Sequence, residues 1–444
     1  MGCVSWHAIQ PEAGINLEQE NEQEKSRARL KMTFIRGVLE WADNMKKTGI
    51  VKRSLQRAAK FVIFRILFNG IYCMHAKKPV NTNKVLFVEV REPEISNSFS
   101  LLYKKLKKDS HYQIHTHFLR TGFAGKLEYT RRCTAMLRDM ADAKYVFLND
   151  GCNVTGSIPM RSETILTQTW HACGAFKKFG FSTAELKYGE SAQEMKKYPY
   201  YGNTAYVTLS SPEIAWAYEE AMLLGGRREC MKATGVSRTD VFFQPRFLNA
   251  ARAHVQSCVP FAGDRKVILY APTFRGHASG AYAPDCLDIR MLRQELGREY
   301  VLFIKHHPFV KNPPPVPPDC ADFAKDVTKE LSIEELLCVS DICISDYSSL
   351  VFEYSLFERP MLFYAYDLED YFDWRGFYYD FDELAPGPVV RTNEEIIDFI
   401  RHIEARFDRG RVRQFRKRFM SACDGHATQR ILELVFGRSF GRTE

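Results

Sequence analysis

Long apolar runs are scarce in this sequence. The most apolar stretch, FVIFRILFNGIYCM (61–74), is short and interrupted by Arg65. A membrane-spanning helix needs roughly 20 apolar residues, so this stretch does not span. Paired cysteines are missing too. Twelve cysteines are scattered singly, with no CxxC and no regular spacing. That excludes zinc ribbons and disulfide frameworks and points to a reduced setting. There is no GxxxxGK[ST] loop and no GxGxxG, which argues against purine-triphosphate hydrolysis and hydride transfer. With no HExxH, no DxD after a strand and no paired-carboxylate cluster, no metal site and no tightly bound cofactor are expected. No secretory signal is visible. The opening MGCVSW lacks the Ser or Thr that a myristoylation signal wants, because Trp6 stands there. Residues 1–31 are polar and expected to be disordered.

The 444 residues, 45% apolar and 26% charged, suit two core-forming domains and a tail. The net charge of +8 is local: Lys25 to Lys78 holds 14 Lys/Arg against Glu40 and Asp43. Phe34, Val38, Trp41 and Met45 fall on one helical face within it. Residues 32–79 are therefore expected to form an amphipathic basic segment on an anionic membrane surface. The alternative is a helical arm packed on the protein with its charges solvated. Nucleic acid is not an expected partner, since no interleaved aromatic-basic pattern or helix-turn-helix signature is present. A second basic cluster, RGRVRQFRKRF, lies at 409–419.

Beyond Pro79 the pattern alternates. KVLFVEV, YQIHTHFL, KYVFLND and ETILTQTWH read as strands, with helices between them. Such alternation predicts a parallel sheet covered by helices. A helix and loop around 245–264 mark a join, after which KVILYAP, YVLFIKHHP, DICISD and PMLFYAY give a second α/β half. The expected units are 80–255 and 256–444. Ligands of such sheets bind beyond the carboxyl ends of the strands. Those ends carry Thr273 and Arg275, then Lys305, His306 and His307, then Asp346, Ser348 and Ser349, with Arg375 further on. Serines at a helix start, an arginine fork and basic groups suit a diphosphate, although the serines can also be plain helix caps. In the first half His171 ends a strand, as a general base would, and Gly174 is read as opening a Lys-rich helix. His111, His115 and His117 read as ordinary strand residues.

Taken together, QTWHACGAFKKFG (168–180), TGVSRTD (234–240), YAPTFRG (270–276), KHHP (305–308), SDYSSLVFEYSLFERPMLFYAYDLEDY (345–371), RGFYYDF (375–381) and APGPVV (385–390) resemble the CDP-glycerol glycerophosphotransferase family of teichoic acid synthesis. The resemblance implies a GT-B architecture: two Rossmann-like domains facing a cleft, preceded by the membrane segment. It also implies a peripheral enzyme at the cytoplasmic face of the plasma membrane. The donor would be CDP-glycerol or CDP-ribitol and the acceptor a lipid-linked polyol-phosphate chain. Carried over, Thr273, Arg275, Lys305, His307, Ser348, Ser349 and Arg375 would hold the diphosphate, with His307 also catalytic. Asp346 and Glu353 would orient the donor, and His171 would be the base. One departure is the run Ala172-Cys173-Gly174, where many members continue Gly-Thr-Pro. A sugar transferase using a nucleotide sugar, and a silent membrane scaffold, are the competing readings.

Overall fold

The computed structural model describes residues 49–187, 189–276 and 280–437, together with Gly37. The first sheet contains β1 (Asn81–Glu89), β2 (Gln113–Phe118), β3 (Ala143–Leu148), β4 (Ile165–Gln168), β5 (Tyr206–Thr208) and β6 (Met231–Lys232). The second contains β7 (Lys266–Ala271), β8 (Tyr300–Ile304), β9 (Ala324–Asp326), β10 (Ile342–Ser345), β11 (Met361–Tyr364) and β12 (Val389–Val390). Every pairing between these strands is parallel. The strands are apolar on both sides because helices cover both faces. Val85 to Val88 and Val301 to Phe303 are accordingly fully buried.

Strand order decides where ligands can enter. The sheets run β2-β1-β3-β4-β5-β6 and β12-β11-β10-β7-β8-β9. The second, counted from its own first strand, has the dinucleotide-binding order, and the first has the flavodoxin-like order extended by one strand. The order reverses between β1 and β3 in one sheet and between β7 and β10 in the other. At such reversals neighbouring crossovers leave in opposite directions and open a crevice. The short edge strands β6, β9 and β12 hold two or three residues each, too few to show a periodic pattern in the sequence.

The two halves share one apolar core. Trp170, Phe176 and Tyr218 belong to the same buried cluster as Phe303, Phe352 and Phe363. Residues after Gly174 do not form the expected helix. They run as a loop in which Lys177 bridges Phe377 in antiparallel fashion. Lys178 N donates to Gly376 O at 3.1 Å and Tyr378 N to Phe176 O at 3.0 Å. Two causes are visible. Gly174 has φ +65°, which a right-handed helix cannot use, and Phe176 is drawn in among Phe352, Phe363, Phe377 and Phe381.

The chain also comes home. The unit expected at 256–444 does not stand alone: the last helix, Ala427–Phe436, lays Ile431, Leu432 and Val435 against Val85 and Phe87 of the first sheet and Phe99 of the helix Asn97–Lys107. Asp240 accepts from Ala427 N (3.0 Å) and Thr428 N (2.7 Å) at its start. Amphipathic spacing announces such a helix but not which sheet it will cover.

At the amino-terminal side the chain is helical from Gly49 to His75, with a π-turn stretch at Val62–Phe68. Phe64, Phe68, Ile71 and Tyr72 are buried in the first domain's core. Phe61, Ile66 and Met74 stay exposed. Part of this segment thus packs on the protein. The Phe34, Val38, Trp41 and Met45 face lies outside the described residues. Among the described residues no helix is long and apolar enough to cross a membrane.

A Cβ on Gly174 would stand 2.4 Å from the Phe352 ring across the seam. Ser210 Oγ and Tyr218 Oη hold the Gly174 backbone in place, so relief by a shift is costly. Gly174→Ala should cost at least about 1–3 kcal/mol from overpacking. An unchanged denaturation midpoint would contradict this account of the seam.

Candidate active site

His171 follows β4 at its carboxyl end. The preceding Trp170 has φ 56°, a left-handed conformation that costs a non-glycine residue about 1–3 kcal/mol. Gln168 secures it: its Oε1 accepts from Trp170 N and its Nε2 donates to Asp150 O, both at 3.0 Å. The turn aims the imidazole outward, and the residue is exposed. Its Nδ1 lies 3.0 Å from Asn149 O. A carbonyl only accepts, so Nδ1 carries the proton and Nε2 presents a lone pair. Desolvation by the surrounding protein is the first cause lowering the His171 pKa, opposed by Asp150 and aided by Arg238 and Arg91. The ring reaches water but is crowded on its other sides, which reconciles exposure with desolvation. It is a neutral, oriented base near neutral pH.

On the second sheet, β10, β7 and β8 are neighbours, so Asp346–Ser349, Thr273–Arg275 and Lys305–His307 share one edge. Their side chains divide into two groups. Arg275 is buried, and its fork is already filled. Nε and Nη2 donate to the two Asp367 oxygens at 2.6 and 2.9 Å. Nη1 donates to Thr273 O (2.6 Å) and Asp346 Oδ2 (3.0 Å). Asp346 Oδ1 also accepts from Thr273 N at 2.8 Å and Tyr347 N at 2.6 Å. Arg275 and Asp346 thus hold the loops beneath the edge through their contacts with each other and with Asp367. Lys305 also turns away: its Nζ donates to Thr328 O (2.7 Å) and Leu331 O (2.5 Å), and burial lowers its pKa.

Glu353 is displaced further. It is buried, and its Oε1 accepts from Arg238 Nε at 2.6 Å. Burial pushes its carboxyl up, with Arg238 acting against that. Its partner comes from the first half of the chain, so this contact joins the two halves. Arg375 ends the helix Leu368–Arg375, and its side chain lies outside the described residues.

Thr273, His307, Ser348 and Ser349 remain at the edge. The Thr273 hydroxyl is buried and finds no hydrogen-bond partner among the described residues. His307 Nδ1 accepts from Phe309 N at 3.2 Å, which leaves the neutral ring's proton on Nε2. Its ring lies against Phe274 and Phe309, with centroids 4.7 and 4.6 Å away. Ser348 Oγ accepts from Leu350 N at 3.4 Å, so it caps as well as faces the edge. Ser349 makes no side-chain cap bond. The edge thus carries hydroxyls and an imidazole. Among the described residues no His, Cys, Asp and Glu group is suited to a metal ion.

Sequence reading did not assign Asn149, Asp150, Arg91, Arg238 or Asp367. Arg238 and Asp367 stand inside the motifs TGVSRTD and YDLEDY, so the signal was present without its partner. Asn149 acts through its carbonyl, which side-chain identity does not reveal.

The family model for CDP-Glycerol:Poly(glycerophosphate) glycerophosphotransferase matches residues 70–437. The chain belongs to this family. It is similar to a teichoic acid ribitol-phosphate primase of Bacillus spizizenii, 33% identical over 82% of this chain and 93% of that protein. It is also similar to a teichoic acid poly(ribitol-phosphate) polymerase of the same organism, 33% identical over 83% of this chain. The match spans 58% of that longer relative's length. Among solved structures, the wall teichoic acid polymerase TagF matches with a TM-score of 0.69 at 21% identity, over 88% of this chain and 98% of the other. That likeness supports the GT-B-like arrangement of two parallel sheets.

Within this family member, Arg275→Ala would leave the buried Asp346 and the half-buried Asp367 without their cation. Breaking such a pair costs roughly 3–5 kcal/mol. The variant should unfold at clearly lower temperature than the parent chain, beyond any change in donor KM. A shift confined to donor KM would restore Arg275 to direct donor binding.

Proposed function

We propose that the chain transfers a polyol phosphate, glycerol or ribitol phosphate, from its CDP-activated donor to a hydroxyl of a lipid-linked acceptor. The observation that carries this reading is the His171 imidazole with Nε2 unprotonated at the carboxyl edge of the first sheet, in a member of this family. The acceptor oxygen attacks the phosphorus bearing the polyol. The bond from that phosphorus to the bridging oxygen breaks, and CMP leaves. His171 Nε2 takes the hydroxyl proton. Phosphoryl transfer of this kind demands positioning and charge stabilisation more than covalent help. Thr273, the His307 Nε2–H, Ser348 and Ser349 supply donors to the diphosphate oxygens, and loss of one such donor costs about 3–4 kcal/mol. The unpartnered Thr273 hydroxyl supports that assignment.

We further propose that the exposed face of the helical entry segment rests on an anionic bilayer, which would put the active edge near a lipid-linked acceptor. Phe61, Ile66 and Met74 project there at 45%, 59% and 48% exposure, and Lys77 and Lys78 are exposed beside them. Each basic residue adds about 1 kcal/mol near such a surface.

His171→Ala should abolish CMP release from CDP-glycerol and CDP-ribitol in the presence of acceptor, with the fold retained. Normal turnover in that variant would remove His171 from catalysis, and turnover with a UDP-sugar instead would favour the sugar-transferase reading. A base with a lowered pKa stays unprotonated to lower pH. The acid limb of kcat/KM should therefore have its midpoint below the ordinary histidine value of 6.5; a midpoint above it counts against the assignment. Replacing Ile66 and Met74 by Glu should abolish flotation with anionic liposomes, and undiminished flotation would exclude this face as the anchor.

A further inference from the structure

A cavity of about 300 Å³ opens on the first domain, away from the catalytic edge. It lies where the helix Asn97–Lys107 meets the start of the last helix and the segment Ser237–Phe243. Lys104, Lys105, Lys108, Gln244, His426 and Asp240 line it. Three lysines therefore stand against one carboxylate, and that carboxylate is spent. Asp240 is 4% exposed and accepts from Ala427 N at 3.0 Å and Thr428 N at 2.7 Å. Lys105 Nζ donates to Gln429 Oε1 at 3.0 Å. Lys104 and Lys108 are exposed and, among the described residues, make no hydrogen bond or ion pair. They stand one turn apart on a single row of the helix. The cavity is thus electropositive, with two unspent cations at its rim. Its volume falls at the lower end of small-ligand sites.

We propose that this cavity holds phosphodiesters of the acceptor chain, several units behind the hydroxyl that meets His171. This rests on the polyol-phosphate reading of the cleft and deepens it. Its distance from the cleft follows from the parallel sheet. The helix leaves the carboxyl end of β1 and leads back to the amino end of β2, so Lys104 and Lys108 lie toward the amino edge. Lys104 is about 10 Å along the axis from the helix start. The cavity is thus separate from the reacting centre, and only an acceptor of several units reaches it from there. A polymer with an anion at every repeat meets a row of cations in succession, whereas a lone phosphate ester meets one. Held at two places, the chain gains effective concentration at the cleft with no new contact at the base. The occupant is the polymer and not a bilayer, because strand side chains alternate. Leu86 and Val88 pack with Phe64 and Phe68 of the entry segment, while Val85 and Phe87 pack with Leu102 and Leu106 of the lysine-bearing helix. The cavity and the proposed bilayer face therefore belong to opposite sides of the first sheet.

The test compares long and short ligands. A poly(polyol phosphate) oligomer of several repeats and a single polyol phosphate are titrated calorimetrically, without donor, into three proteins. These are the parent chain, the double variant Lys104→Gln with Lys108→Gln, and the double variant Lys104→Arg with Lys108→Arg. The glutamine pair should weaken the long oligomer about five- to tenfold at low salt, the scale of two exposed ion pairs. Added salt should shrink that difference, and the arginine pair should keep the parent affinity. The single unit should bind all three alike. In turnover, KM for the long acceptor should rise in the glutamine pair, while kcat and donor KM stay unchanged. Equal binding of the long oligomer by the parent and the glutamine pair overturns the proposal. An equal loss for the single unit also overturns it, since that marks an adventitious ion only. Lost flotation of the glutamine pair with anionic liposomes overturns it as well, since that marks a bilayer contact. If the lysines bound the long oligomer yet neither CDP-polyol released CMP, the transferase reading would fall and the polymer site would stand.

Discussion

The arrangement depends on the buried contact between Arg238 and Glu353. Arg238 lies in the segment Ser237–Phe243, before the helix that leads into the second sheet, and Glu353 lies in the short helix after β10. Their charged groups meet at 2.6 Å with the carboxylate 3% exposed. A charge left unpaired at that depth is heavily penalised, so the two halves are disfavoured from moving apart there. The Gly174–Phe352 contact and the backbone pairing of 176–178 with 376–378 lie along the same seam. Together they set the first sheet's edge, with His171, relative to the second sheet's edge, with Thr273 and His307. Electrostatics supplies the penalty for separation, and aromatic packing supplies the shape.

A count of cations would misjudge the donor edge. Arg275 and Lys305 are the strongest positive groups in its motifs, and both are used inward. Arg275 lies over Tyr347 and Tyr371, with its carbon 5.2 and 5.0 Å from the ring centroids. Tyr347 in turn donates its hydroxyl to Asp367 at 2.8 Å. The guanidinium is thus the centre of a buried lattice that connects the loop after β7 to the loop after β10 and to the approach of the helix at Leu368. Such a lattice rigidifies the backbone from which Thr273 and Ser348 project. Preorganised donors cost no reorganisation when charge develops, and buried networks are valuable only when every member is satisfied. Arg275 comes close to that condition, with four of its five N–H donors placed on acceptors.

Most of the fold was legible in the sequence because its signals are local. Runs such as KVLFVEV and DICISD are apolar over the length of one strand, and turns break them cleanly. Strand-end positions followed from the same reading, so His171, Thr273, His307, Ser348 and Ser349 could be named as edge residues. What could not be read is partnership. Glu353 shares a motif with Ser348 and Ser349, yet a helix start sends neighbouring side chains in different directions, and this one points to Arg238. The loop after Gly174 departs from the helix that its lysines predict, because its conformation is set by a pairing with Phe377 two hundred residues away in sequence. The entry segment was half legible: its amphipathicity is real, but one apolar side faces protein at Phe64, Phe68, Ile71 and Tyr72.

The two reversals of strand order suggest why this fold suits the proposed transfer. A nucleotide-activated donor and a charged acceptor are both anionic, and a single crevice would force their phosphates together. Two sheets provide two crevices. The donor's diphosphate would meet hydroxyls and an imidazole N–H at the β7–β10 reversal, which spread charge without adding a mobile cation. The acceptor would enter at the β1–β3 reversal, one strand from the base on β4. Repulsion between the two substrates then falls across the gap that the attacking oxygen must close. Desolvation by the surrounding protein does most to keep the His171 imidazole neutral at that edge, with Arg238 and Arg91 adding to it against Asp150, so the base meets the acceptor hydroxyl with its lone pair available.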